Sequence, residues 1–213
     1  MNPRVACSPR PNHCKSWVRH DARGSCAPVC VGVIVFRVCD SRFPFLWTLS
    51  SGARQRPARW HGEGEGPVQY FADTPPGAWS ELLRHEEITD PADVAGISAR
   101  LWAIEIGDVE MQAPILPKAA LTSSPDGYEA CRAEARRIRA AGAKRIVAPS
   151  AALAPGEGAG FHVGAAGLLR AAFRDGRVIV HFGVLPDAEG WCAADAARPD
   201  AELLGQVRPL YPR

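Results

Sequence analysis

Apolar residues in this chain form short runs, rich in β-branched and aromatic side chains, that are separated by turns rich in glycine and proline. Runs of this length and composition are typical of β-strands joined by loops. They predict strands at residues 31–38, 68–72, 101–106, 145–149 and 178–184. Such strands are stable only when they pair into a sheet that buries their apolar side chains.

Two stretches carry the signals of a helix. Thr74 stands before two prolines, and this order predicts a helix start, because threonine caps free amides and proline is tolerated in a first turn. The second stretch is 125–141, where apolar residues recur at helical spacing between Ser124, the predicted cap, and Gly142, the predicted end.

The rest of the chain is predicted to be less regular. We expect loops at 86–99 and 107–124, the second with a short turn of helix, then a short helix at 168–173, and loop and tail after Pro186. Strands outnumber helices, and the helices are scattered along the chain. The sequence therefore predicts an α+β fold, with a compact mixed sheet and few helices.

Residues 1–28 mix Arg, Pro, Cys and His without periodicity. We therefore expect a poorly ordered N-terminal arm without regular elements, followed by one folded domain at 29–213. The cysteines and histidines of the arm raise the question of zinc. Their spacing fits no familiar ligand pair followed by a second pair, so free thiols are the simpler interpretation and no metal site is predicted.

The net charge and the apolar runs limit the partners that the sequence predicts. The formal net charge is +2 over 213 residues, which is too small to predict nucleic-acid binding except through a partner protein. No apolar run approaches the roughly 20 residues that span a bilayer, so no membrane partner is expected. The run at 27–36 follows an opening too long and polar for a signal peptide. We interpret it as a buried strand and expect the protein in the cytoplasm.

Two glycine-rich segments look at first like nucleotide-binding loops. The segment at 62–66 contains two glutamates and precedes a strand, whereas a dinucleotide loop follows a strand and opens a helix with bare amides. The segment at 156–160 fails on similar grounds. Neither segment predicts a dinucleotide-binding domain.

Taken one at a time, the candidate polar residues have ordinary explanations. Ser150 closes a strand and lacks the G-x-S-x-G pattern of a nucleophile, so a turn serine is the simpler interpretation. Glu81 alone is typical of a solvated helix residue. Arg37 must face solvent, a carboxylate or an anionic ligand, because an unpartnered buried arginine is costly.

The order of the candidates along the chain is more informative than any one of them: Arg37, Arg59, Tyr70, Glu81 and Ser150. The chain also has Arg-Trp before a glycine turn, then VQYFADTPPGAWSELL, LWAIEI and a helix that leads into RIVAPSAAL. With these motifs in this order, residues 33–185 resemble the RES domain family, which is named for its Arg, Glu and Ser positions.

The resemblance implies a fold similar to that of the ADP-ribosyltransferase toxins, and an enzyme that degrades NAD as the toxin of a toxin–antitoxin pair. It implies catalytic roles for Arg59, Tyr70 and Glu81, and substrate binding by Arg37 and Ser150. It implies no cofactor: NAD is the substrate, and inorganic phosphate is a co-substrate of some members. The implied partners are NAD and a small antitoxin protein that covers the active-site entrance.

Two departures from the family pattern leave alternatives open. His61 stands where the family has Asn after Arg-Trp, and we expect it to help bind the substrate. The segment PGEGAGFHV at 155–163 replaces an Asn-containing segment, with His162 as the nearest polar substitute. The alternatives are a catalytically silent binding module and a transferase that moves ADP-ribose onto a macromolecule.

Overall fold

A computed structural model describes residues 18–20, 26–28, 33–107 and 110–211. The strands are β1 (Val18–His20), β2 (Cys26–Pro28), β3 (Val33–Cys39), β4 (Val68–Ala72), β5 (Ala99–Ile106), β6 (Arg145–Pro149), β7 (Phe161–Gly164), β8 (Gly167–Arg170), β9 (Arg177–Phe182) and β10 (Glu189–Ala197). The helices are α1 (Leu49–Gly52), α2 (Pro75–His85), α3 (Pro91–Ala95), α4 (Lys118–Leu121) and α5 (Tyr128–Ala140), with 3₁₀ turns at Pro125–Gly127 and Ala201–Gln206.

Six of the strands form one sheet, in the order β10-β5-β3-β4-β9-β6. These strands pair with their neighbours in antiparallel fashion, and a parallel bridge joins Gln112 to Ile146 at the β6 edge. The short strands β7 and β8 form a separate hairpin. This architecture confirms the predicted α+β class, with one compact sheet and few helices.

Strand β4 lies inside the sheet, and its two faces have different neighbours. Val68 and Tyr70 pack in the apolar cluster that contains α5, and Ala72 packs in the cluster that contains α2. Phe71 belongs to a third cluster, with residues of β3, β5 and β9. Successive residues of a strand project to opposite faces, so Tyr70 lies on the face covered by the helices and Gln69 on the other.

The elements that frame the candidate site form where the sequence predicts them. Strands β4 and β6 have the predicted bounds. Helix α2 begins with two prolines, and the hydroxyl of Thr74 accepts a hydrogen bond from the amide of Gly77 at 3.1 Å. Local signals are sufficient here, because the cap satisfies an amide that has no partner within the helix.

The helix predicted at 168–173 is wrong. Gly167–Arg170 is a strand that pairs with Phe161–Gly164, and Gly167 has a φ of 112°, which favours glycine. A short apolar run does not distinguish a helix from a strand. The hairpin partner, which lies six residues earlier, decides the conformation.

The tail predicted after Pro186 is also wrong. Residues 189–197 form β10, which pairs with β5 at one edge of the sheet and has register shifts along its length. Most of its side chains are exposed, so it lacks the apolar alternation that would have revealed it. The pairing with β5 supplies the order that its own sequence does not encode.

Three smaller predictions also need correction. Residues 91–95 form α3, capped by the Asp90 carboxylate, inside the loop predicted at 86–99. Helix α5 begins at Tyr128, after a 3₁₀ turn at Pro125–Gly127, and Ser124, which precedes that turn, makes no side-chain capping bond. Gly142, with a φ of 89°, follows the helix end as predicted.

Part of the predicted N-terminal arm contains regular structure, because β1 and β2 pair in antiparallel fashion. The other residues of the arm, and the cysteine and histidine side chains considered for zinc, lie outside the described residues. Within the described ranges, no helix combines the length and the apolar character needed to cross a bilayer.

A buried histidine in β9 predicts a pH-dependent loss of stability. The Arg145 Nε atom donates a hydrogen bond to His181 Nδ1 at 3.1 Å, and this bond requires a neutral imidazole. Burial and the adjacent Arg145 charge lower the pKa of His181 from 6.5 to about 4. The contribution of His181 to stability is therefore full above pH 6.5 and is lost as the pH falls through about 4, a loss on the order of 3 kcal/mol.

Urea unfolding between pH 7 and pH 4 measures this effect. In His181→Gln, an amide oxygen can still accept from Arg145 but does not titrate, so the free energy of unfolding should fall less steeply over this range than in the parent protein. Equal slopes for the two proteins would contradict the assignment.

Candidate active site

Glu81 and Ser150 meet across the fold, from α2 and from the residue that follows β6. The Ser150 hydroxyl donates to Glu81 Oε1 at 3.2 Å. The Ser150 hydroxyl oxygen, Oγ, in turn accepts hydrogen bonds from the amides of Ala152 and Leu153, at 3.2 and 3.0 Å. Because these two amides occupy the lone pairs of the hydroxyl, its proton is directed at the carboxylate. Ser150 is buried and holds Glu81 in place.

The surroundings of Glu81 disfavour the ionised form of its carboxyl group, although positively charged side chains lie nearby. Burial raises the pKa of the Glu81 carboxyl, and the charges of Arg84 and Arg59 and the hydrogen bond from Ser150 offset that rise in part. A carboxylate that has lost much of its hydration gains more from an added cation than one in water does. Glu81 is therefore suited to stabilise positive charge that develops beside it.

Arg59 is held rigidly on the same face of the sheet. Its Nη2 donates to the Ser123 carbonyl at 2.7 Å, and its Nη1 donates to the Ser123 hydroxyl at 3.3 Å. The guanidinium lies over the Tyr128 ring, 4.4 Å from the centroid. Arg59 is 7% exposed. The forked N–H donors of its guanidinium are therefore fixed in a position that is largely shielded from water.

Tyr70 and His61 form a hydrogen-bonded pair. The Tyr70 hydroxyl lies 2.8 Å from His61 Nδ1 and accepts from the Trp60 amide at 3.2 Å. Burial raises the pKa of Tyr70 and lowers the pKa of His61, so both rings stay neutral at pH 7. His61 is only 1% exposed, which places it behind Tyr70 as its support. Tyr70, half-buried, has the more accessible ring of the two.

Arg37 is the predicted site residue that the structure does not bring to this cluster. Its Nη1 donates to Gln69 Oε1 at 3.3 Å, and its guanidinium is 5.8 Å from the Trp47 ring centroid. Gln69 projects to the face of the sheet opposite Tyr70. Burial lowers the pKa of Arg37 to about 10. The geometry gives no support to a shared role for Arg37 with Glu81, and we leave it out of the candidate site.

Two residues that the sequence reasoning missed belong to the cluster. Arg84 is buried on α2, three residues after Glu81, and its charge acts on that carboxyl. Tyr128, at the start of α5, lies under Arg59 and interacts with Arg84. Arg84 could have been found from the sequence, because it follows Glu81 by three residues on a predicted helix and i, i+3 side chains are neighbours. Tyr128 fitted the apolar face of α5, and nothing local marked it as part of a site.

The segment that departs from the family pattern does not add a polar group to this cluster. His162 lies on β7, is exposed, and pairs across the hairpin with Leu169. A surface depression lined by Val147–Pro149 and Asp175–Arg177 adjoins Ser150, whose amide donates to the Gly176 carbonyl at 2.8 Å, but the cluster residues themselves do not line it. Across the residues that the structure describes, no group of three or more His, Cys, Asp or Glu side chains is placed to hold a metal ion. The cleft between Arg59, Tyr70 and Glu81 stays a prediction.

Comparison with known proteins gives three results. A family model described as the RES domain matches residues 34–188. A protein named Toxin Res from Pseudomonas putida is 40% identical over 77 residues, which are 33% of this chain and 51% of the relative, so the match spans about half the length of that relative. A solved structure of the M. tuberculosis MbcT–MbcA toxin–antitoxin complex aligns with 82% of this chain and 87% of that chain, at 15% identity and a TM-score of 0.49.

The match to the family model extends over most of the chain, and its bounds lie close to the range 33–185 that the order of arginine, glutamate and serine residues predicted. This chain belongs to the RES domain family.

Proposed function

We propose that this protein degrades NAD by cleaving the bond between nicotinamide and ribose. The observation that carries the proposal is the cluster around Glu81: a half-buried carboxylate held by Ser150, with Arg59, Arg84 and Tyr70 on the same side of the sheet. A carboxylate with little hydration, flanked by fixed cations, suits a substrate that carries both a cationic ring and a diphosphate.

The chemistry makes modest demands on the protein. When the bond breaks, its electron pair leaves with nicotinamide, which becomes neutral and needs no proton. Positive charge develops on the ribose, as in other glycosidic cleavages. Glu81 acts on that charge as it appears, and an interaction that strengthens in the transition state raises the rate. Water or inorganic phosphate then bonds to the ribose carbon.

The other residues bind and orient the substrate. The fork of Arg59 suits the diphosphate or an incoming phosphate, with a geometry that lysine cannot reproduce. The neutral Tyr70 ring can stack on the nicotinamide riboside end or donate its hydroxyl proton to it. Ser150 keeps the carboxylate of Glu81 directed at the ribose and does not attack it.

The choice of acceptor is tested by product analysis. Purified protein is incubated with NAD, with and without inorganic phosphate, and the products are identified by mass spectrometry. Hydrolysis gives ADP-ribose in both reactions, whereas phosphorolysis gives phosphorylated ADP-ribose and requires phosphate. Label from NAD on a protein or nucleic acid would favour a macromolecular transferase. NAD that remains intact in both reactions would favour a catalytically silent module.

Removal of the Ser150 hydroxyl should change the pH dependence of the reaction. The reaction needs ionised Glu81, so activity falls as the pH drops through the pKa of Glu81. The Ser150 hydrogen bond lowers that pKa against the larger effect of burial. In Ser150→Ala, kcat/KM should fall by about tenfold or more, and its acidic limb should move to higher pH.

The pH profile distinguishes this role from a purely structural one, because loss of the turn alone would lower activity without moving the limb. Ser98→Ala, an exposed serine, is the matched control and should leave the profile unchanged. An acidic limb that stays in place in Ser150→Ala would contradict the positioning role.

The biological setting that we propose is a cytoplasmic toxin restrained by a small antitoxin protein. The curated relative is named a toxin, and the aligned complex is titled a toxin–antitoxin complex. Expression in a bacterial cytoplasm should lower cellular NAD and stop growth, and Glu81→Gln should do neither. Growth arrest without loss of NAD would contradict this setting.

A further inference from the structure

A second buried arginine shares a hydrogen-bond acceptor with Arg59. The Nη2 atoms of Arg59 and Arg84 both donate to the carbonyl oxygen of Ser123, at 2.7 and 3.3 Å. Because both nitrogens lie within hydrogen-bonding distance of one oxygen, they are at most about 6 Å apart. Two guanidinium groups from distant parts of the chain thus converge on one point.

This pair of like charges is largely removed from water. Arg59 is 7% exposed and Arg84 is 6% exposed. Burial lowers the pKa of Arg84; Tyr128 and Glu81 act against this, and the nearby charge of Arg59 adds to it. Burial raises the pKa of the nearby Glu81 carboxyl, on which both arginine charges act, so its ionised form is disfavoured. The cluster therefore carries an excess of positive charge that a bound anion would balance.

The two side chains keep donors for such an anion. Arg59 donates to the Ser123 carbonyl and hydroxyl and also bonds to the Cys131 thiol, and Arg84 donates to the Ser123 carbonyl and to the Pro209 carbonyl, at 3.4 Å. The bonds to oxygen use two nitrogens of each guanidinium, and a guanidinium carries five N–H donors in all. Even with the Arg59–Cys131 bond and the contact between Arg84 and Tyr128 counted, donors remain on both groups.

We propose that Arg59 and Arg84 together form a binding site for a phosphate group. Planar, forked donors match the oxygens of phosphate, and paired arginines suit a dianion better than a single charge does. Arg84 lies less than one helical turn from Glu81, so a phosphate held here is close to the carboxylate. The choice of NAD diphosphate or free inorganic phosphate as the ligand rests on the proposed function. The convergence of the arginines does not.

Calorimetric titration of the full-length protein tests the site without any turnover. One titration uses inorganic phosphate and the other uses ADP, which carries a diphosphate but has no bond to nicotinamide. Arg84→Gln should weaken binding of at least one of the two by about tenfold or more, and Arg84→Lys should fall between it and the parent protein. Arg54→Gln, which changes an exposed arginine, should bind as the parent does.

The pattern of losses identifies the ligand. Weakened phosphate binding with unchanged ADP binding assigns the site to free phosphate, and the reverse assigns it to the diphosphate. Parent-like binding of both ligands by Arg84→Gln would overturn the proposal, as would a parent protein that binds neither.

A double-mutant cycle covers the case in which Arg84→Gln does not fold. The cycle uses Arg59→Lys, Arg84→Lys and the double variant, which keep both positive charges. Thermal unfolding without ligand checks that each variant is folded. Two arginines that hold the same anion give non-additive losses, whereas additive losses would overturn a shared site. Because the binding experiments contain no NAD, the phosphate site can be refuted without refuting NAD cleavage, and NAD cleavage can be refuted without refuting the phosphate site.

Discussion

Replacing Glu81 with glutamine should lower NAD turnover by about a hundredfold or more while the protein stays folded. Glutamine has nearly the same shape and can still accept the hydrogen bond from Ser150, which is 3.2 Å long in the parent. It cannot offer the negative charge that the ribose needs as the nicotinamide bond breaks. The loss should therefore appear in kcat, because the interaction strengthens only in the transition state.

The same substitution should not destabilise the protein at neutral pH. The folded state raises the pKa of Glu81, mainly through burial, so this group contributes most stability below its unfolded pKa and loses that contribution as the pH rises. Glutamine removes the charged form, and the free energy of unfolding at pH 7 should equal or exceed that of the parent.

The matched control is Glu86→Gln, an exposed glutamate at the end of the same helix. Initial rates of NAD loss and urea unfolding are measured for the parent and both variants. Near-parent kcat in Glu81→Gln would remove Glu81 from the mechanism. A comparable loss in Glu86→Gln would show that the effect is not specific to the cluster.

Replacing Arg59 with lysine should be nearly as damaging, with a loss of about a hundredfold in kcat/KM. Arg59 makes two hydrogen bonds to Ser123 and lies over the Tyr128 ring. Lysine keeps the charge but has neither the planar fork nor the stacking surface. If Arg59 holds the diphosphate equally in the bound and transition states, most of the loss should appear as a higher KM.

The control for this variant is Arg54→Lys, an exposed arginine in the loop that precedes the site. Steady-state kinetics with NAD, together with thermal unfolding, compare the two variants with the parent. If a folded Arg59→Lys protein keeps NAD turnover comparable to that of the parent, the forked contact is not needed.

The unit around β4 and α2 could be predicted from the sequence because each of its signals acts locally. Thr74 caps its own helix, and the apolar run at 68–72 has the length and composition of a strand. Glu81 and Ser150 were identified from their order in the family pattern, and the structure brings them into contact. Local patterning and the family order agree here.

The sequence analysis named Arg37 and did not consider Arg84, and the positions that these two side chains take in the fold depend on contacts between distant parts of the chain. Both are arginines close to predicted elements. Which face of the sheet Arg37 occupies depends on the pairing of β3 with its neighbours, and Arg37 ends beside Gln69. Arg84 becomes part of the site because Ser123, far along the chain, folds back to both guanidinium groups.

Edge and hairpin strands were missed for a related reason. β10 is mostly exposed, and β7 with β8 forms a ladder apart from the main sheet. Neither position requires the alternation of apolar and polar residues that identifies a half-buried strand. Their conformation comes from pairing partners.

The release of free nicotinamide from NAD by the purified protein tests the central claim most directly, namely that the residues around Glu81 form a site that splits NAD. The assay is run with and without inorganic phosphate on protein whose folding has been checked by thermal unfolding. We predict one nicotinamide released for each NAD consumed, in at least one of the two conditions. NAD that stays intact in both, with the protein folded, would contradict the account.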